Sequence, residues 1–522
     1  MAETTEIIKV SENANETDPK VVFDPKFEKS VVAKLWTPQD ENLKASGTIG
    51  NVSAPKEEAT RIDAIYVPLI KINSIVIPND KIQYMKFDYT GFKPTIELQI
   101  IKFNFSKLET PGMANKITVI MIPPVDKTYR KISVDFYIES VDDIGNVILY
   151  SGIMFFPALE KKNTRSIRLN GNNKLTTYEF CESIAAECQL GFAATKQCKE
   201  IADTKTRLLR SQTLQQGIIE HTNFGGLDNN SFFVSWIDVY GYLVLSNISW
   251  VLGKATKADE LSIHMLEGLN LTDSTAFEQN NIKFGENTFR SYTNWRMMSK
   301  QTSNQIEKYE WIVNNYSIKS HGTNNTYYTI NHKVTGGSNN INVENITIQD
   351  DSADGLNFKN EYDFQNIKFL GTELASSEDG NTPVLYQKQR RDAYITKLKA
   401  KRLKVSLLEM NIGLERGTLI NIMIFEYDRD LKIQMLNYIK NLQEKGNTEI
   451  YSEESIDRDI LDNPNIGVPN LSISGIYYID GIEYEYKKGT GKIKQTLYLI
   501  KQTPSNNYLN MSSLPKLKPN MS

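Results

Sequence analysis

The sequence predicts a mainly β protein of the α+β class. It has two strand-rich blocks, a small helical domain between them and a large polar insertion. Three observations carry this expectation. Short β-branched and aromatic runs separated by turn residues fill Tyr66 to Phe156 and recur from Leu403 to Lys501. A capped helical segment opens between the blocks at Thr176. From 253 to 395 the composition shifts to Asn, Ser, Thr, Gly and Asp, with Gly336-Gly337-Ser338-Asn339-Asn340 at its centre. At 522 residues the chain is too long for one ordinary core.

Residues 1–60 are polar and without a sustained period, so they read as an extended N-terminal arm, with a short strand near Val31–Trp36. The first β block, 61–170, contains the runs 66–70, 81–89, 95–105, 117–122, 131–139 and 147–156. They are separated by Pro78-Asn79-Asp80, Thr90-Gly91, Pro111-Gly112, Pro123-Pro124 and Ile144-Gly145-Asn146. In the fifth run Ile132, Val134, Phe136 and Ile138 alternate with Ser133, Asp135 and Tyr137, which predicts one buried face. Six strands at this spacing fit a small barrel or a sandwich.

The helical domain is expected over 171–231. Thr176-Thr177-Tyr178-Glu179 forms a capping box, and Phe180, Ile184, Ala185 and Cys188 mark one helix face, with Gly191 as the expected stop. A second helix over about Ser211–His221 turns Leu214, Ile218 and Ile219 inward. The hairpin at 232–252, turning at Tyr240-Gly241, is expected to return to the first barrel. After the insertion domain (253–395) the second β block spans 396–505, with a helix and loop excursion at 428–470, and 506–522 is a polar tail. A helix is expected from about Asp430 to Glu444.

Composition excludes several functions. With 60 basic and 63 acidic residues and a net charge of −3, no electrostatic footprint for a phosphate backbone exists, so sequence-specific nucleic-acid binding is not expected. No apolar stretch precedes Val10 to serve as a secretory signal, and the longest apolar run, Val147–Leu159, falls short of a membrane span. Cys181, Cys188 and Cys198 lack zinc-site spacing, and Cys181 and Cys188, seven apart on a predicted helix, read as buried small hydrophobes. His221, His264, His321 and His332 do not pair at ligand spacing. No metal, cofactor or catalytic residue is expected.

Three motifs invite chemistry, and each has a plainer explanation. Gly489-Thr490-Gly491-Lys492 lacks the earlier glycine and the following Ser/Thr of a phosphate loop and reads as a hairpin turn. Asp142-Asp143 and Asp350-Asp351 are acid pairs on polar loops, where solvated turns outnumber glycosidase carboxylates. Asp238, just before Tyr240-Gly241, is expected to accept hydrogen bonds from nearby backbone amides.

At Thr176–Ile184, Leu208–Phe224 and Phe233-x-x-Trp236-Ile237-Asp238-Val239-Tyr240-Gly241-Tyr242-Leu243 the chain resembles the hub proteins of contractile phage baseplates, a superfamily shared with type VI secretion spikes. The glycine turn Glu415-Arg416-Gly417-Thr418 and the run Ser474–Gly481 extend the resemblance. It implies two small β-barrels of similar type, the second entered through Leu403–Ile424. It further implies a non-enzymatic homotrimer in the virion tail baseplate, assembled in the host cytoplasm. Partners would be tail-tube or tube-initiator proteins, a central spike and other baseplate proteins. Three chains with two barrels each imitate six, which joins a sixfold tube to a threefold spike. A β-rich glycan-binding or glycan-hydrolysing protein, and a distal tail protein, are the alternatives.

Overall fold

The computed structural model describes residues 21–23, 68–252 with gaps, the strands 288–291, 305–313, 326–335, 341–350 and 366–376, 391–433 with gaps, and 468–501 almost throughout. Strand β1 (Val21–Phe23) precedes the first block. That block comprises β2 (Leu69–Ile72), β3 (Ile82–Tyr89), β4 (Thr95–Ile101), β5 (Lys116–Met121), β6 (Ile132–Ile144) and β7 (Val147–Ile153). In β3 to β5, and in β6 as far as Phe136, alternate residues are buried, so one face of this curled sheet makes the core. Phe87, Phe136 and Tyr150 fill it.

The middle of the chain folds as a separate layered unit. It contains α1 (Thr177–Glu187), β8 (Gly191–Thr195), α2 (Lys196–Glu200), α3 (Leu214–Asn223), β9 (Phe233–Ile237) and β10 (Tyr242–Asn247). The expected capping box is present: Thr176 Oγ1 accepts from the Glu179 amide at 3.2 Å, and Glu179 Oε2 accepts from the Thr176 amide at 2.9 Å. Helix α3 starts at Leu214, three residues later than expected, because a second box at Thr213 and Gln216 caps it there. Gly191 is not the stop of α1. Gln189 takes the left-handed position (φ +57°), while the Leu190 and Gln189 amides donate to the Ala185 and Ala186 carbonyls. Gly191 opens β8 instead, where a Cβ would lie 2.2 Å from the Tyr242 ring.

The hairpin also departs from expectation. Instead of joining the first barrel, β9 and β10 form a sheet in the order β1-β8-β10-β9, with β8 and β10 parallel. All six residues of β10 are buried, as suits a central strand covered on both faces, whereas an outer wall of the first sheet would alternate. Val31–Trp36 lies outside the described residues, as does nearly all of the helix expected at 430–444.

Further strands are β11 (Thr288–Ser291), β12 (Gln305–Val313), β13 (Thr326–Thr335), β14 (Ile341–Asp350), β15 (Asn366–Ser376), β16 (Lys401–Leu407), β17 (Leu419–Met423), β18 (Gly475–Lys487) and β19 (Ile493–Ile500). Among the described strands of the stretch read as an insertion, β13 to β15 form a separate three-stranded sheet. β11 and β12, from the same stretch, belong to the second barrel: the ring runs β17-β11-β12-β16-β19-β18 and closes through β18–β17 pairing.

The two blocks repeat one wiring diagram in register. The pairs β3–β4, β4–β7, β7–β6 and β6–β5 match β12–β16, β16–β19, β19–β18 and β18–β17 in the same chain order, all antiparallel. One row across the first block reads Phe87, Ile96, Gly152, Ile138, and its counterpart in the second reads Trp311, Leu403, Leu499, Ile479. The bulges coincide too. A register shift falls between Ile138 and Ser140 in β6 and between Ile479 and Gly481 in β18. Another falls between Ile82 and Tyr84 in β3 and between Ile306 and Lys308 in β12. Bulges are specific local features, so four matched pairings with two matched bulges identify a structural duplicate. The copies differ in their first strand: β2 runs antiparallel to β5, whereas β11 runs parallel to β17 and to β12.

Candidate functional site: the joint between the two barrels

The two copies meet edge to edge through one long strand. The first residues of β18 pair with β17, from Gly475 opposite Ile422 to Tyr478 opposite Leu419. After the bulge, β18 keeps β19 on one side as far as Tyr486, while on the other side Ile482 to Lys487 exchange β17 for β3 and pair antiparallel with Tyr89 to Tyr84, so both modules become one continuous sheet. Gly481 makes this crossing possible. A Cβ there would lie 2.7 Å from Thr90 Cγ2 and 3.1 Å from Thr90 Cα, part of the backbone. Gly481→Ala is therefore expected to cost about 1–3 kcal/mol through overpacking. Gly489→Ala, whose Cβ would meet nothing within 4 Å, should change stability by less than about 0.5 kcal/mol. Denaturant midpoints of the two variants compare them directly.

The faces of the joint differ. On the core side the Phe87 ring sits 5.6 Å from Tyr484 and 5.3 Å from Phe136, the latter edge-on. On the other side Lys494, Glu485, Lys86 and Glu97 stand directly opposite one another across four strands, an alternating charge row that spans the joint. Lys86 Nζ lies 3.3 Å from Glu483 Oε2, which also accepts from the Tyr498 hydroxyl at 3.1 Å. Burial alone would lower the Lys86 pKa; the charge and hydrogen bond of Glu483, with the Asp88 and Glu97 carboxylates, together outweigh it and hold the ammonium above its ordinary value.

The middle unit clamps the end of this joint. The Trp236 indole N–H donates to the Tyr89 hydroxyl at 3.0 Å, and the Ile237 amide donates to the Phe92 carbonyl at 2.8 Å. From the second barrel, the Arg416 guanidinium lies 5.0 Å from the Trp236 ring centre and 5.8 Å from that of Tyr89, and it donates to the Gly91 carbonyl. The turn carrying Arg416 is fixed by Gly417 at φ +92°, whose amide donates to the Ile479 carbonyl at 2.9 Å. Asp238 does what the sequence predicts: its Oδ1 accepts from the Tyr240 and Tyr242 amides at 2.9 and 2.8 Å, and Gly241 turns at φ +82°. Burial, reinforced by the nearby Asp238 charge, pushes the Tyr89 hydroxyl well above its ordinary pKa.

The remaining sequence candidates do not converge. Asp142 and Asp143 lie exposed at the tip of the β6–β7 hairpin, and Asp143 pairs with Lys102. Asp350 ends β14 and Asp351 lies outside the described residues. The His221 ring packs 4.3 Å from Phe180; His332 lies on β13, and His264 and His321 lie outside the described residues. Gly489 to Lys492 form the β18–β19 turn, with Gly491 at φ +64°. All three cysteines are buried thiols, and burial pushes those of Cys188 and Cys198 up to about 12. Among the described residues no group of three or more His, Cys, Asp or Glu side chains is placed to hold a metal ion, and no helix is long and apolar enough to cross a membrane. Sequence reading singled out the Asp238 and Gly417 turns but missed Tyr89, Trp236 and Arg416 as partners.

No protein-family model matches the chain, and no curated protein matches it at a significant level. Among solved structures it is similar to a tail protein from Neisseria meningitidis MC58 at 9% identity, covering 84% of this chain and 97% of that one, with a TM-score of 0.41. It is also similar to the 43 kDa tail protein of prophage MuSo2 from Shewanella oneidensis, at 9% identity, 84% and 98% coverage and a TM-score of 0.42. A third is an E. coli component of the type VI secretion system, at 7% identity, 83% and 77% coverage and a TM-score of 0.35. Two of these neighbours are tail proteins and the third is a type VI secretion component.

Proposed function

We propose that this chain is a structural hub of a contractile tail's baseplate, a homotrimer whose six modules form a pseudohexameric ring between the sixfold tail tube and the threefold central spike. The observation that carries this reading is the duplicated module with matched bulges, joined edge to edge in one chain. A protein of threefold symmetry must offer six similar surfaces to a sixfold partner, and folding one module twice supplies them. The role is non-enzymatic and located in the virion tail. Tube or tube-initiator proteins, the spike and other baseplate proteins are its neighbours there, and the sheet of β13 to β15 lies outside the ring.

Light scattering on the purified chain tests this. The expected mass is about 179 kDa, three times the 59.5 kDa chain, with six lobes in end-on particle images and no release of sugar from cell-wall glycans. A monomer that hydrolyses those glycans would establish the enzyme alternative instead.

A further inference from the structure

The duplication assigns a seam between copies. Within the chain, the outer half of β18 (Ile482–Lys487) is the strand that reaches across to the next module, and its acceptor is the edge of β3 from Tyr84 to Tyr89. Each of these edges has a counterpart in the other module, fixed by the shared register. Ile138 and Ser140, on either side of the bulge, match Ile479 and Gly481, so Val141 to Ile144 of β6 match Ile482 to Glu485. Phe87 matches Trp311, so Tyr84 to Tyr89 match Lys308 to Val313 of β12.

Among the described residues, both counterparts have an open edge. β6 pairs with β5 through Tyr137, with one further backbone bond from the Ile138 amide to the Asn115 carbonyl, and beyond that only with β7 on its other side. β12 pairs with β11 only at Gln305 and Ile306, and from Lys308 onward only with β16. We propose that the β6 edge at Val141–Ile144 adds antiparallel to the β12 edge at Lys308–Val313 of a second copy, repeating between chains the joint that β18 and β3 make within one. This rests on the hub reading and names the seam that reading requires.

Transferring the internal register places Val141 opposite Val313, Asp142 opposite Ile312, Asp143 opposite Trp311 and Ile144 opposite Glu310. The exposed side chains fit this pairing. Val141 (39% exposed) and Ile144 (61% exposed) are two of the four exposed large hydrophobic residues among those described. In this register Ile144 is the diagonal neighbour of Ile312 on one face, and Val141 that of Trp311 on the other. Exposed strand edges with apolar side chains are a self-association hazard unless they are used. Each chain has one edge of each kind, so the contact is head to tail and closes into a ring, in which three copies contribute six modules.

Cysteine pairing tests the register. Residues directly opposite in an antiparallel pair have Cα atoms about 4.5–5.5 Å apart, within disulfide range. Asp142→Cys combined with Ile312→Cys is expected to give covalent dimers and trimers on oxidation, because the three native thiols are buried. Asp142→Cys combined with Lys308→Cys, about 13 Å out of register, is expected to give none. Charge supplies a second readout at the exposed tip. Ile144→Glu opposite Glu310 should weaken the trimer several-fold relative to Ile144→Lys. A trimeric mass without cross-linking of the matched pair, or equal dissociation of both Ile144 variants, overturns this seam and leaves the hub reading standing. A monomeric mass for the unmodified chain overturns both.

Discussion

Trp236→Ala is expected to lower the unfolding free energy by about 3–5 kcal/mol, the range for truncating a large buried aromatic. Trp236 is 1% exposed and sits where all three units meet, against Tyr89 of the first sheet and Arg416 of the second barrel. Part of the loss is packing and part is the indole hydrogen bond, and two further variants separate them. Trp236→Phe retains much of the ring but removes the donor to the Tyr89 hydroxyl, for an expected cost of about 1–3 kcal/mol. Arg416→Met removes the cation over both rings while keeping a comparable stem, for an expected cost of about 0.5–2 kcal/mol. Urea unfolding read by tryptophan fluorescence and circular dichroism gives all three values. A loss below 1 kcal/mol for Trp236→Ala would mean that the middle unit does not hold the barrels together.

What the sequence made legible was local. The capping box at Thr176, the Asp238 turn and the alternation in β6 each lie within a few residues, so spacing alone identifies them; the box at Thr213 is equally local, and the expected start at Ser211 passed over it. Long-range relations were not legible. Trp236 and Tyr89 are 147 positions apart, and nothing in either neighbourhood marks the other. The hairpin was assigned to the wrong sheet because Tyr242 to Asn247 is buried throughout, and a run without alternation does not reveal which sheet it joins. β11 and β12 were hidden for another reason: the sheet of β13 to β15 separates them in sequence from the rest of their barrel, so they read as part of a polar insertion. The duplication itself has no signature in residue identity. Gly152 corresponds to Leu499 and Phe87 to Trp311, so what the modules share is backbone register.

Above pH 10 the protein is expected to lose stability steeply, at about 4 kcal/mol per pH unit. The cause is three buried tyrosines around the joint, Tyr89, Tyr478 and Tyr484, which are 3%, 1% and 2% exposed. Burial raises all three hydroxyls, with Asp238 adding to the rise at Tyr89 and Glu415 at Tyr484. An unfolded tyrosine ionises near pH 10. Between that pH and the higher folded values the native state therefore holds protons that the unfolded chain has released. The stabilisation is complete below about pH 10 and is lost as pH rises through the folded pKa values, at about 1.4 kcal/mol per pH unit for each group. Against a total stability of about 5–15 kcal/mol, three such groups bring the fold to its midpoint within a few pH units. Lys86, also raised in the fold, contributes with the same sign. An alkaline titration followed in parallel by tyrosinate absorbance and circular dichroism checks this. The exposed members of the 26 tyrosines should ionise gradually, and the buried ones in a single step that coincides with loss of β signal. Smooth ionisation of every tyrosine with the β signal intact would mean that the joint admits water, and a joint open to water could not serve as the rigid template for a seam between copies.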